Sequence, residues 1–174
     1  MNEIMENIVT RRSVRSFISG KKIEVNELQN IVTAGMFAPT ARNRQPVLFT
    51  VVADKSIIRA LSIAVANALE LGNDYNFYDP EAIIITSCDR ESKFVKEDTS
   101  CALENMFLYA HSVGIGSVWI NQLQVSCDND KVRALLSKLN IPDSHVCGGM
   151  MALGYPAEQT EKDLTRKCKA NYFL

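Results

Sequence analysis

The sequence predicts a helix-rich α+β domain, and three observations carry that prediction. Short runs at 47–53, 82–86 and 146–153, rich in β-branched and apolar residues, read as buried strands. Between and around them, apolar residues recur three and four apart, the spacing of amphipathic helices. The two kinds of segment do not alternate as regular βαβ units, so a doubly wound parallel sheet is not expected. No linker rich in Pro, Gly or Ser divides the 174 residues, so residues 1–174 read as a single domain.

Taken in order, Asn2 can cap a short first helix with the apolar stripe Ile4, Met5 and Ile8. Val25, Leu28, Ile31, Val32 and Gly35 mark a second helix, which Pro39 stops. After the strand at 47–53, residues 55–71 read as a helix ended near Gly72, and 72–80 as a polar and aromatic loop. Asp98 or Thr99 is the expected cap of a helix running to His111. It is apolar nearly all round (Cys101, Ala102, Leu103, Met106, Phe107, Leu108), which predicts a central helix or a subunit interface. Gly114 and Gly116 end it and lead into Ser117–Ile120. Asp128 is the expected cap of a helix carrying Val132, Leu135, Leu136 and Leu139. Gly148 and Gly149 are expected to weaken the strand at 146–153. A basic tail (Arg166, Lys167, Lys169) precedes Tyr172 and Phe173.

Composition excludes some functions. The 19 basic and 20 acidic residues give a net charge of -1, which argues against a protein that coats nucleic acid or an anionic membrane. No apolar run reaches the length of a membrane helix, and the first residues do not read as a secretory leader. The five cysteines form no C-x-x-C pair, so reduced thiols and a cytoplasmic location are expected.

Three constellations could carry chemistry. Arg11, Arg12, Ser13 and Arg15 place three guanidinium groups and a hydroxyl within five residues, a donor set suited to phosphate; a solvated basic turn would look the same. Between Ala38 and Pro46, two prolines stiffen a segment in which Thr40, Asn43 and Gln45 offer hydroxyl and amide groups to a flat heterocycle. Standing alone, that segment is better read as an ordinary helix-to-strand connection. The run Gly114–Ile120 contains a G-x-G pair, but it follows a helix and has Trp119 where a dinucleotide fingerprint has its third glycine. His111 and His145 have no metal-ligand spacing, and neither a G-x-S-x-G elbow nor a Walker loop occurs. The lack of a self-sufficient acid–base or nucleophile set points to a cofactor enzyme. A cysteine hydrolase or transferase using Cys147 or Cys101 has little in its favour.

Together, R-R-S-V-R-S-F at 11–17, A-P-T-A-R-N-R-Q-P at 38–46, G-I-G-S-V-W-I at 114–120 and A-L-G-Y-P at 152–156 resemble the nitroreductase family of FMN-dependent oxidoreductases. The resemblance implies a mainly antiparallel central sheet surrounded by helices and a domain-swapped homodimer with FMN at the subunit interface. It implies electron transfer from NADH or NADPH through FMN to a small oxidant such as a nitroaromatic or a quinone, in ping-pong order. By position, Arg11, Arg12, Ser13 and Arg15 match the stretch that holds the phosphate, ribityl chain and one ring edge. Pro39, Thr40, Asn43 and Gln45 match the loop offered by the other subunit. Val118, Trp119 and Ile120 match the segment over the ring, whose backbone N–H approaches the reactive nitrogen. Arg166 and Lys167 match a C-terminal basic pair at the phosphate, with Lys169 the competing residue, and Asn73 matches a polar residue near the pyrimidine edge. No side chain is expected to act as an obligatory acid, because the flavin carries the chemistry. Val47 stands where the family most often has tryptophan, Thr40 replaces serine, and Asn121 replaces an acidic residue. The chain is shorter than the larger members, so their covering helical insertion is expected to be missing or reduced. A flavin-binding storage, sensing or flavin-modifying protein without broad reductase turnover is the alternative.

Overall fold

A computed structural model describes residues 1–158 and 165–174 of the protein. Four antiparallel strands, β1 (Leu48–Val52), β2 (Ala82–Asp89), β3 (Gly116–Ile120) and β4 (His145–Gly154), form one sheet in the order β1-β2-β4-β3. Side chains alternate between its faces, and both faces are covered. Ile83, Ile85, Val118, Ile120, Met150 and Ala152 pack with α3 (Lys55–Ala68), α5 (Gln122–Ser126) and α6 (Asp130–Lys138). Ala82, Ile84, Met151 and Leu153 pack with α2 (Val25–Met36) and α4 (Val95–Ser112). Burial on both faces explains why β2 reads as an unbroken apolar run.

The caps account for several helix starts. Asn2 caps α1 (Glu3–Thr10) by accepting from the Met5 N–H at 2.9 Å. Glu24 and Glu27 form a reciprocal capping box at α2. Asp54 accepts from the N–H groups of Ser56 and Ile57 at α3.

Two expectations are corrected and two are completed. First, α4 begins at Val95, and Asp98 and Thr99 lie buried inside it rather than capping it. The Asp98 carboxylate instead accepts from the Ala41 N–H at 2.9 Å, and the Thr99 hydroxyl donates to the Val95 carbonyl at 2.6 Å. Second, Asn129, not Asp128, caps α6. Asp128 is held outside by Arg90 and Arg133 at 3.1 and 2.8 Å. Third, Ser117–Ile120 belongs to a fourth strand, and the short helix α5 follows it. Fourth, β4 is a ten-residue inner strand, and its ladder is irregular at the expected glycines: Thr86 pairs with Gly149 and Ser87 with Cys147, which leaves Gly148 unpaired. α4 approaches both glycines: a Cβ at Gly149 would lie 2.7 Å from Leu103 Cδ1, with Trp119 Cζ2 of β3 at 2.9 Å. A Cβ at Gly148 would fall within the Thr99 side chain.

Candidate functional site

The chain leaves α1 at Arg11 and crosses the end of the sheet formed by β3 and β4. The Val14 N–H donates to the Ser117 carbonyl at 2.9 Å, the Ile18 N–H to Tyr155 at 2.8 Å, and the Ala157 N–H to Ser16 at 3.0 Å. Gly116 and Gly154 permit this approach, since a Cβ at either would lie 2.9 Å from Val14 Cγ1 or 2.7 Å from Phe17 Cδ1 respectively. The basic residues then divide between two environments. The Arg11 guanidinium stands 5.6 Å from the Phe107 ring and that of Arg15 stands 5.8 Å from the Tyr78 ring. Arg12 and Val14 instead line a cavity of about 420 Å³ with Thr10, His111, Ser117 and Pro156.

Arg11 and Arg12 differ in their partners. Arg12 Nη1 donates to the carbonyls of Val9 at 2.8 Å and Arg11 at 2.5 Å, tying down the end of α1. Arg11 Nε is buried with no hydrogen-bond partner, and Glu104 stays 3.9 Å away. Such an orphaned charged donor calls for an anion. His111 Nε2 shares a hydrogen bond with the Thr10 hydroxyl at 2.9 Å. Burial, then the charges of Arg11 and Arg12, push the His111 imidazole below its ordinary pKa.

The 38–46 segment is strained. Arg42, Asn43 and Gln45 have φ of 56°, 54° and 51°, the left-handed region that non-glycine residues adopt at a cost. The Thr40 hydroxyl accepts from the Gln45 N–H at 3.0 Å, and the Gln45 amide donates to Asn43 Oδ1 at 3.0 Å, so the polar side chains hold the loop. Pro39, Asn43 and Gln45 are exposed. Thr40, Gln45 and Val47 line a second cavity of about 240 Å³ with Gly35, Phe49 and Ala102.

Sequence reasoning passed over a second strained segment. Phe77, Tyr78 and Asp79 have φ of 56°, 69° and 48°, three successive left-handed residues without a glycine. Phe77 is fully buried and anchors them. Lys55 Nζ donates to the Asp79 carboxylate at 2.8 Å and the Pro80 carbonyl at 2.9 Å, and lies 3.4 Å from the buried Glu81 carboxylate. The Tyr75 hydroxyl is buried without a partner, and burial pushes its pKa up. The polar and aromatic run at 72–80 was the available signal, but nothing in a loop sequence announces left-handed backbone.

The remaining expected residues are placed as follows. Val118 and Ile120 are buried in the core, and the Trp119 ring packs 6.0 Å from Phe107. These side chains serve packing, and β3 is an edge strand of the sheet. Arg166 and Lys167 lie on the exposed C-terminal stretch 165–174, and Asn73 is exposed in its loop. Cys127 and Cys147 are buried at 3% and 2% exposure, which removes Cys147 as an accessible nucleophile. Interaction between the two thiols holds Cys127 below its ordinary range, and the same interaction with burial pushes Cys147 up. The His145 ring meets the Ser87 hydroxyl at 3.1 Å. Among the described residues no cluster of His, Cys, Asp or Glu could hold a metal ion, and no helix is long and apolar enough to cross a membrane.

Within one chain the two polar segments do not meet. Ala41 is tied to Asp98 on α4, while Arg11 stands at Glu104 and Phe107. Six to nine helical residues separate these points, an axial rise of about 9–14 Å. Among the described residues no hydrogen bond or ion pair joins residues 11–15 to 38–46.

Known proteins share this fold. A protein of Archaeoglobus fulgidus, provisionally named an NADH dehydrogenase/NAD(P)H nitroreductase, is 35% identical over 167 residues, covering 94% of this chain and 90% of its own. A Methanothermobacter thermautotrophicus protein with the same provisional name is 28% identical, over 90% of this chain and 78% of its own. The crystal structure of a nitroreductase with bound FMN from Bacteroides fragilis superposes with a TM-score of 0.88 at 33% identity, covering 100% of this chain and 98% of that one. The Nitroreductase family profile matches residues 8–155, the span holding both polar segments and the whole sheet, and the chain belongs to the Nitroreductase family.

Proposed function

We propose that the protein is an FMN-dependent oxidoreductase that takes reducing equivalents from NADH or NADPH and delivers them to a small oxidant such as a nitroaromatic or quinone, in ping-pong order. The observation that carries this reading is Arg11: its buried Nε makes no hydrogen bond, Glu104 standing 3.9 Å away, and it lies in the run that the family resemblance matches to the phosphate-holding stretch. The residues present fit the group. Arg11 and Ser13, joined by Arg166 and Lys167 from the C-terminal stretch, would bind the phosphate. Arg12 would add its charge from the cavity side, and Arg15 would donate to one ring edge. The backbone of 118–120 would lie over the ring.

When bound, FMN supplies hydride acceptance and delivery. The chain's own residues position and polarise. Fixed guanidinium groups favour negative charge where it develops and need no reorganisation at the moment of reaction. The strained 38–46 loop keeps Pro39, Thr40, Asn43 and Gln45 in one conformation, so ordering them costs little on binding.

The second half of the site would come from another copy of the chain. Support comes from the apolar groups left exposed: Ile4 at 71%, Phe37 at 83% and Phe173 at 97%. A groove of about 470 Å³ lined by Leu28, Val32, Met36 and Val51 lies beside the edge strand β1. The partner's C-terminal stretch would fill it and complete the swap. The first test is the visible spectrum of the purified protein, with NADH or NADPH added anaerobically, and sedimentation of the same sample. Flavin bands that bleach in a dimer support the reading. A protein that takes up no added FMN refutes it, and a monomer with stoichiometric FMN refutes the shared site.

A further inference from the structure

The left-handed segment Phe77–Asp79 has no evident purpose in the core beyond the Phe77 anchor. Three successive non-glycine residues at positive φ are costly, and such strain persists only where surrounding contacts over-determine it. Here those contacts are explicit. The Phe77 ring is fully buried and meets Tyr75 edge-on at 5.3 Å. Lys55 binds the carbonyls of Asp79 and Pro80 and the Asp79 carboxylate. Glu81, at 4% side-chain exposure, backs Lys55 and accepts from the Gly20 N–H at 3.0 Å. The result is an outward-pointing Tyr78, 43% exposed, with its ring 5.8 Å from the Arg15 guanidinium.

We propose that Tyr78 is a positioning residue: its ring holds the Arg15 guanidinium in place for the flavin, and the Lys55–Glu81 pair holds Tyr78 in the backbone conformation that allows this. An exposed arginine otherwise samples many rotamers, and each must be given up when it donates to a ligand. A ring face fixes the guanidinium plane beforehand without consuming its N–H donors. Among the described residues no hydrogen bond or ion pair restrains Arg15, and the Tyr78 ring is its neighbour. The proposal rests on the flavin reading of Arg15.

The test is titration of the apo-protein with FMN, followed by flavin fluorescence, together with the midpoint potential of the bound flavin. Tyr78→Leu is expected to weaken FMN about two- to fivefold, the size of an exposed cation–π contact. It is also expected to make the potential more negative, since a less localised cation favours the reduced anion less. Tyr78→Phe keeps the ring and retains both wild-type values. Lys55→Met shifts both in the direction of Tyr78→Leu, and the double variant is no worse than Tyr78→Leu alone. Thermal melts of each apo-protein establish that it folds. Equal losses in Tyr78→Phe and Tyr78→Leu, or a Tyr78→Leu protein with wild-type affinity and potential, overturn the role of the ring. Additive losses in the double variant overturn the clamp. Wild-type protein that binds no FMN refutes the flavin reading itself, a result distinct from all of these.

Discussion

Replacing Arg11 and Arg12 by alanine, one at a time, separates binding from folding. The Arg11 side chain contributes little to the ligand-free protein. Its contact with Phe107 is worth about 0.5–1 kcal/mol and its distant ion pair with half-exposed Glu104 about 0–1 kcal/mol. Against these stands the cost of a buried N–H without a partner, about 1–3 kcal/mol. The terms nearly cancel, so Arg11→Ala should leave the apo-protein Tm within about 3 °C of wild type. Arg12 is different, because it closes two carbonyls at the end of α1. Losing them costs about 1–3 kcal/mol, a Tm lower by about 2–12 °C. FMN affinity is expected to reverse this order. A charge-assisted bond to phosphate contributes about 1.5–3 kcal/mol, so Arg11→Ala should bind FMN about 10- to 150-fold more weakly. Arg12→Ala should lose less than tenfold. Calorimetric melts of the apo-proteins and fluorescence titration with FMN give both quantities. An Arg12→Ala protein with wild-type Tm that loses more FMN affinity than Arg11→Ala would refute the division of this run into two environments.

Two further outcomes follow from packing and titration. Gly148→Ala places a Cβ inside the Thr99 side chain and should destabilise the fold by about 1–3 kcal/mol, lowering Tm by about 2–12 °C; an unchanged Tm would show that α4 is not seated on β4 as described. His111 is depressed below its unfolded pKa by burial and by Arg11 and Arg12. Below about pH 6.5 the unfolded chain therefore binds more protons at this residue than the folded one, and stability falls as pH drops through the folded pKa. Wild type should lose more stability between pH 7.5 and 5 than His111→Gln, and equal losses would place the imidazole in solvent.

The parts of the fold that were legible in sequence are those with strong local signals. Asn2 before an apolar stripe became a capped helix because the cap and its N–H partner are three residues apart. Ala82–Thr86 became an inner strand because burial on both faces selects an unbroken apolar run. Where the reading failed, a distant partner decided. Asp98 has the chemistry of a cap, yet its carboxylate is taken by the Ala41 N–H, 57 residues away. Asp128 was equally plausible as a cap until Arg90 and Arg133 claimed it. Gly148 and Gly149 mark an irregular point of the β2–β4 ladder, as their sequence suggests, but a sequence shows the missing side chain and not the helix that needs the space.

The sequence by itself determined the α+β class, the order of most elements, and the two polar runs that carry the family resemblance, because each depends on residue type at short spacing. Tertiary structure alone decided how those runs are used. It put Arg11 and Arg12, adjacent in sequence, into different environments, since an extended chain crossing a sheet end alternates its side chains. It kept the arginines and the 38–46 loop at different points along α4 within one chain. It also set the left-handed turn at 77–79 beside Arg15, through a lysine and a glutamate that no local pattern connects. Contacts between residues far apart in the chain carry no short-range signature, so only the folded arrangement could reveal them.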